Sequence, residues 1–156
     1  MKKTSALFFQ AAVVLLGAGV LTFLLLEPHF EGRNAHATTF EIYCKDPFLA
    51  YVYVGSIPFF IALHQAFGLL GHAGRTGAFS QVTVDALRAI KRCALAIIAF
   101  VAGAVGIILL FGDGEDRPGG IFMCFLVIVA SAIVATAAAM FARKLGHLLP
   151  DGKRRI

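Results

Sequence analysis

The sequence predicts an all-α membrane protein, a polytopic four-helix bundle, and two observations carry this prediction. Of 156 residues, 59% are apolar and only 15% are charged, whereas charged residues make up about a quarter of an ordinary soluble domain. Four apolar runs, each free of Asp, Glu, Lys and Arg, have the length of about 20 residues that crosses a hydrocarbon core about 30 Å thick. We therefore expect a single transmembrane domain over residues 1–156.

The first run is Ala6–Leu26, which follows Lys2 and Lys3. Such a run could also be a secretory signal, with a small-residue cleavage site at residues 35–37. We expect a retained span instead, because the run exceeds the usual signal length of about 7–15 residues and charged residues separate it from that site. The long loop that follows contains a short strand-like or interfacial stretch at residues 38–43.

The second run, Phe48–Leu70, contains the candidate polar membrane site, Pro58, His64 and Gln65. Proline removes a backbone donor and should bend the span, either as a static kink that improves packing or as a hinge. Imidazole can bind metal or transfer protons, but we expect His64 to donate a hydrogen bond to a neighbouring helix near the inner interface. Haem ligation is not expected, because none of the other runs supplies a facing histidine.

The third run, Ala94–Gly112, follows an amphipathic segment, Gln81–Arg92, for which Ser80 is the predicted N-cap. One stripe of this segment is apolar and another is basic, so we expect a short cytoplasmic helix that continues directly into the span. The apolar stripe consists of Thr83, Leu87, Ile90 and Ala94. The residues that could form a face toward lipid headgroups or toward a protein partner are Ser80, Arg88, Lys91 and Arg92.

The fourth run, Ile121–Ala142, follows a short acidic turn, Asp113–Gly120, with Pro118 expected just before the helix. This short connection predicts that spans three and four form an antiparallel hairpin. Small residues recur every four positions and predict close helix packing within the bundle, with homo-oligomerisation as the alternative. These residues are Ala99 with Gly103, Ala102 with Gly106, and Ser131, Ala135 and Ala139.

The charges alternate between the two sides of the predicted membrane. Eleven basic residues lie at the termini and in the middle loop, whereas the two other loops hold seven of the nine acids. The positive-inside rule therefore predicts that both termini are cytoplasmic. A basic surface for nucleic acid is not expected, because such a surface would not follow alternate loops.

The motifs that usually indicate catalysis or a cofactor do not occur in the sequence. It contains no Cys-x-x-Cys, no His-x-x-x-His, no Gly-x-Ser-x-Gly and no phosphate-binding glycine loop. We therefore predict no catalytic site, no metal and no cofactor. Cys44 and Cys124 share the predicted outer side and could pair, but two free thiols are expected, and Asp113, Glu115 and Asp116 are expected to form a solvated turn.

Three stretches resemble a bacterial family of small four-span membrane proteins that is catalogued as a domain of unknown function. They are Ile57–Phe67 (IPFFIALHQAF), Gly77–Ser80 (GAFS) and Ala86–Ala94 (ALRAIKRCA). Members of that family are often encoded beside a Cro/CI-like helix-turn-helix regulator, so the resemblance implies a regulatory partner in the cytoplasm. It implies no catalytic residues.

Two functions from different classes follow from these observations. The leading hypothesis is a non-enzymatic inner-membrane protein whose basic cytoplasmic surface binds a protein such as a transcription regulator. The alternative is a small transporter, or an accessory subunit of a transport complex, in which Pro58 and His64 line a path through the membrane.

Overall fold

The computed structural model describes residues 3–30, 47–76, 80–111 and 117–149, and these form four long α-helices. We number them α1 (Lys3–Phe30), α2 (Pro47–Thr76), α3 (Gln81–Phe111) and α4 (Arg117–Leu148). All four are long and apolar enough to cross a membrane. The predicted all-α fold with four spans is confirmed.

Each helix is longer than the apolar run that predicted it. The helices contain 28 to 32 residues, which at 1.5 Å per residue corresponds to about 42–48 Å, more than the hydrocarbon thickness. The amphipathic segment and the third span are one continuous helix, α3, as expected. The helices continue past the positions where the side chains become polar. The membrane boundary is therefore indicated by the change in residue composition and not by the end of the helix.

The start of α4 differs from the expectation. Pro118 is the second residue of the helix and does not precede it, because α4 begins at Arg117. Proline is tolerated in the first turn, where a backbone N–H would have no helical partner anyway. The predicted strand-like stretch at 38–43, the acidic residues 113–116 and Cys44, together with its pairing to Cys124, lie outside the described residues.

The extensive helix contacts join neighbours along the chain: α1 with α2, α2 with α3, and α3 with α4. The α3–α4 pair is antiparallel, as the short connection predicts. At one end the first turn of α4 lies against α3, where a Cβ on Gly120 would be 3.3 Å from the Ile108 side chain. At the other end the last turns of α4 pack on the first turns of α3.

The best-buried side chains gather at one end of the bundle, which we call the basic end. It contains the start of α1 and of α3 and the ends of α2 and α4. Val84, only 1% exposed, is the most buried large side chain of this cluster, and partly buried side chains of α2 and α4 cover the cluster. The buried members are Val84, Leu87, Ile90, Ala138, Ala142 and Leu149, and the covering residues are Ala66, Leu69 and Leu145.

Elsewhere along the spans, most large apolar side chains remain on the outside. Leu15 and Leu110, for example, are 73% and 75% exposed. Lipid tails are as apolar as leucine, so exposure inside the membrane carries no hydrophobic penalty. Where the helices project beyond the hydrocarbon, each Å² of apolar surface left in water costs about 25 cal/mol. The core is therefore expected at a water-facing end, and the exposed apolar surface is in contact with the lipid bilayer.

Only some of the regularly spaced small residues are buried in contacts between helices of this chain. Ser131 and Ala135 of α4 are buried, as predicted, whereas Ala139 is half-buried. On α3, Ala99 and Ala102 are exposed, so the predicted packing of this stripe inside the bundle is wrong for these two residues. Gly103 of the same stripe does meet a neighbouring helix, because the Tyr51 hydroxyl of α2 lies against it, next to Phe100.

Candidate functional site

The candidate site lies at the basic end and begins with the cap of α3. The Thr83 backbone N–H donates to Ser80 Oγ at 3.3 Å, and the Thr83 and Val84 N–H groups donate to the Ser80 carbonyl oxygen at 3.1 and 3.3 Å. These bonds satisfy first-turn donors that the helix itself leaves without partners. The predicted N-cap is confirmed, and it fixes the direction in which α3 starts.

The two predicted faces of this helix are also separated in space. Thr83, Leu87, Ile90 and Ala94 are all buried within the protein. The apolar stripe is therefore covered by α2 and α4 and does not rest on lipid headgroups. We define the basic face as Arg88, Lys91 and Arg92, of which both arginines are exposed and the lysine is half-buried.

Arg88 is held only loosely by its neighbour. Its Nη1 atom lies 3.3 Å from Asp85 Oδ1, and the two side chains are 57% and 58% exposed. An ion pair this open to solvent contributes between 0 and about 1 kcal/mol. Lys91 and Arg92 form no ion pair with the described residues. Most of the positive charge of the basic face is therefore not neutralised by a neighbouring carboxylate within the described residues.

Helix α4 adds further cations at the same end. Arg143 and Lys144 are exposed and directly follow Ala142, which belongs to the buried cluster. They come after the apolar run Ile121–Ala142. The basic end therefore presents cations from two helices that pack on each other.

The candidate polar membrane residues of α2 do not converge. Pro58 is half-buried within a continuous helix, His64 is exposed, and Gln65 is half-buried. The expected hydrogen bond from His64 to a neighbouring helix is wrong, because no bond joins it to any of the described residues. Helix α2 turns Leu63 toward Gly17 of α1, and Ala66 and Leu69 toward the core, whereas His64 is exposed on an outer surface.

Between α2 and α3 at the basic end is a cleft of about 420 Å³, which we call the α2–α3 cleft. Its walls on α2 are Gln65, Gly68, Leu69 and His72. Its walls on α3 are Val82, Thr83, Asp85, Ala86 and Ala89. Since Gly68, Ala86 and Ala89 have little or no side chain, they leave a space that the two helices cannot fill. Of the three polar membrane candidates, Gln65 lines this cleft and Pro58 and His64 do not.

Three further polar residues, not singled out from the sequence, connect the helices within the membrane. Gln10 Nε2 donates to the Phe67 carbonyl oxygen at 3.1 Å. The Tyr53 hydroxyl donates to the carbonyl oxygen of Leu24 at 2.8 Å, and that of Tyr51 to the carbonyl oxygen of Phe100 at 2.8 Å. A polar amide inside an apolar run was the available signal for Gln10, but the backbone acceptor could not be identified from the sequence.

The described residues at this end combine charged side chains with a small cleft. Across residues 3–30, 47–76, 80–111 and 117–149, no three or more His, Cys, Asp or Glu side chains form a group that could hold a metal ion. The arrangement offers guanidinium and ammonium groups of α3 beside a partly apolar cleft, whose lining includes Asp85, the ion-pair partner of Arg88.

Comparison with known proteins shows the family of the chain. Residues 31–146 match the family model described as "Protein of unknown function (DUF2975)". The chain belongs to this family. It is 35% identical over 146 residues to the "Uncharacterized membrane protein YoaS" of Bacillus subtilis (strain 168), a match that covers 93% of this chain and 91% of that protein. No solved structure matches the chain significantly. The resemblance to a membrane-protein family of unknown function is confirmed.

Proposed function

We propose that this DUF2975 protein is a non-enzymatic protein of the bacterial inner membrane whose basic end binds a cytoplasmic protein, such as a transcription regulator. The observation that carries the proposal is the division of α3. Its apolar stripe is buried against α2 and α4, while Arg88 and Arg92 point outward.

This division matters because the basic face is held in one orientation. The N-cap at Ser80 fixes the backbone of the first turn of α3. The burial of Val84, Leu87 and Ile90 against the neighbouring helices opposes rotation of α3 about its own axis. Guanidinium groups on a rigid support suit charge-assisted hydrogen bonds to carboxylates of a partner. The partner surface should therefore be acidic.

The cytoplasmic orientation is supported by the distribution of charge. Of the fourteen basic residues, eleven belong in the sequence to the two termini and to the connection between the second and third spans. This asymmetry is the pattern that retains a loop in the cytoplasm during insertion. A regulator is proposed as the partner class because the family resemblance implies one.

The orientation can be tested separately from the binding. In a cysteine-free background, Arg88→Cys should react with a membrane-impermeant maleimide only after the inner membrane is opened. Labelling of intact cells at this position would contradict a cytoplasmic basic end.

The binding is tested by reversing the charge of the basic face. The tagged protein carrying Arg88→Glu, Lys91→Glu and Arg92→Glu should lose its specific cytoplasmic partner when cross-linked in cells and purified from native membranes. The charge-preserving triple variant with Arg88→Lys, Lys91→Arg and Arg92→Lys is the matched control and should retain it. Recovery of every partner by the charge-reversed protein would refute the proposal.

The alternative of a transporter, or an accessory subunit of one, receives less support from the geometry. It needs Pro58 and His64 on one path, whereas His64 lies on an outer surface and neither residue lines the α2–α3 cleft. We therefore base the proposed function on the basic end.

A further inference from the structure

The α2–α3 cleft lies where the hydrocarbon gives way to water. The apolar run of α3 begins at Ala94, and the cleft is lined by residues 82–89, which come before it. At 1.5 Å per residue, Ala89 lies about 8 Å from the start of that run. On α2 the lining residues, from Gln65 to His72, extend across the end of the apolar run at Leu70. The cleft is therefore at the depth of lipid headgroups.

The lining of the cleft is mixed, since Gln65, His72, Thr83 and Asp85 are polar and the other lining residues are apolar. Gly68, Leu69, Ala86 and Ala89 supply an apolar lining. Asp85, on the side nearer to the start of α3, supplies a carboxylate. A molecule that fits both parts has an apolar portion and a polar head.

Asp85 has an unused acceptor. Its Oδ1 atom accepts from Gln81 Nε2 at 3.2 Å and from Arg88 Nη1 at 3.3 Å. Its Oδ2 atom accepts no hydrogen bond from any residue that the structure describes. The site thus pairs an available carboxylate oxygen with a neighbouring guanidinium, a combination that complements a zwitterion with one ammonium and one phosphate.

We propose that the α2–α3 cleft binds one phospholipid with a primary-ammonium headgroup, of the phosphatidylethanolamine type, from the leaflet at the basic end. The ammonium bonds Asp85 Oδ2 and the phosphate lies near Arg88. The glycerol backbone and the start of one acyl chain follow Gly68, Leu69 and Ala89. This site shares Arg88 with the basic face proposed to bind a protein partner, but its test depends on Asp85 and Ala89 and requires no protein partner.

The charge arrangement makes the proposal specific. A phosphatidylglycerol headgroup has the same phosphate but no ammonium, so its hydroxyl groups would meet Asp85 without a compensating positive charge. If the basic face alone attracted lipid, the anionic phosphatidylglycerol would bind better. A comparison of the two lipids therefore distinguishes specific binding in the cleft from nonspecific electrostatic attraction to the basic face.

The test is native mass spectrometry of the full chain, released from nanodiscs that contain equal amounts of phosphatidylethanolamine and phosphatidylglycerol. One phosphatidylethanolamine should remain bound, with a preference of about fivefold, as expected for one charge-assisted hydrogen bond near the surface. In Asp85→Asn, which preserves the side-chain shape, this preference should disappear or reverse. Equal retention of the two lipids by the wild-type protein, or a preference for phosphatidylglycerol, would overturn the proposal.

A pair of alanine variants tests the location. Ala89→Leu fills the cleft and should abolish the retained phosphatidylethanolamine. Ala102→Leu places the same side chain on an exposed part of α3 outside the cleft and should leave retention unchanged. Full retention by Ala89→Leu would place the lipid elsewhere. Should Ala89→Leu not fold, as judged by its helical circular dichroism, the Asp85→Asn comparison decides alone.

Discussion

The phenolic hydroxyl of Tyr51 donates a 2.8 Å hydrogen bond to the backbone carbonyl oxygen of Phe100, and this bond joins α2 to α3 within the membrane. The two aromatic rings lie 5.5 Å apart. The same hydroxyl lies directly against Gly103, where any Cβ atom would overlap it. The close approach of the two helices therefore depends on a glycine one turn beyond the acceptor.

This relationship predicts that Gly103→Ala destabilises the protein by about 1 kcal/mol or more, because the new methyl group displaces the Tyr51 hydroxyl from its acceptor. The measurement is thermal unfolding in detergent. Gly106→Ala is the matched control, since a Cβ there has no neighbour within 4 Å, and it should be nearly neutral. In a Tyr51→Phe background the cost of Gly103→Ala should fall, and an unchanged cost would show that the two residues are not coupled.

The attachment of α1 to α2 is predicted to depend on the hydrogen bonds that Gln10 and Tyr53 donate between the two helices. The double variant Gln10→Leu and Tyr53→Phe removes the donors to Phe67 and Leu24. Each such bond contributes about 0.6 kcal/mol in a membrane, so hydrogen exchange in α1 should increase. Thr22→Ala is the control, because the Thr22 hydroxyl bonds the Ala18 carbonyl oxygen of its own helix. Identical exchange in the double variant and the control would contradict this account.

The core at the basic end is predicted to be the most sensitive part of the fold. Leu87→Ala should lower the free energy of unfolding by about 2–5 kcal/mol, since Leu87 is only 8% exposed and its loss leaves a cavity. Leu95→Ala changes the same residue type on the same helix at a side chain that is 50% exposed, and it should cost much less. Chemical denaturation in detergent compares the two variants. A larger effect at Leu95 would mean that the stabilising core lies within the spans.

The cap of α3 gives a further prediction. Ser80→Ala removes the oxygen that accepts from the Thr83 N–H, and should cost about 1 kcal/mol. Ser80→Asp keeps an acceptor at this position and places a negative charge at the helix N-terminus, so it should retain the stability. Hydrogen exchange of the first-turn amides reports the change locally. Equal protection in Ser80→Ala and the wild-type protein would show that the cap does not hold the helix start.

Several features of the candidate site could be predicted from the sequence because they are local. The N-cap at Ser80 and the division of α3 into an apolar stripe and a basic face follow from residue type and helical period. What covers the stripe was not predictable in the same way. The apolar stripe of an isolated amphipathic helix could be covered equally well by lipid at the membrane surface. In this protein the stripe is covered by α2 and α4, and their approach is a property of the tertiary structure.

The expectation for His64 failed for a related reason. Its type and depth suggested an interhelical hydrogen bond, but the direction of its side chain depends on how α2 is rotated against α1 and α3. Gln10, at the basic end of α1, makes the bond to Phe67 that was expected of a polar residue in this region. The α2–α3 cleft was likewise absent from the sequence-based predictions, because it exists only where small residues of two helices meet.

The sequence by itself determined the four helices, their capacity to cross a membrane and the side on which basic residues gather, since each depends on hydropathy and charge along one dimension. Only the tertiary structure decided which helical faces meet, where the core lies and where the cleft opens. The physical reason is that lipid does not distinguish one apolar face from another. Helix pairing therefore depends on hydrogen bonds and close contacts between residues far apart in the chain.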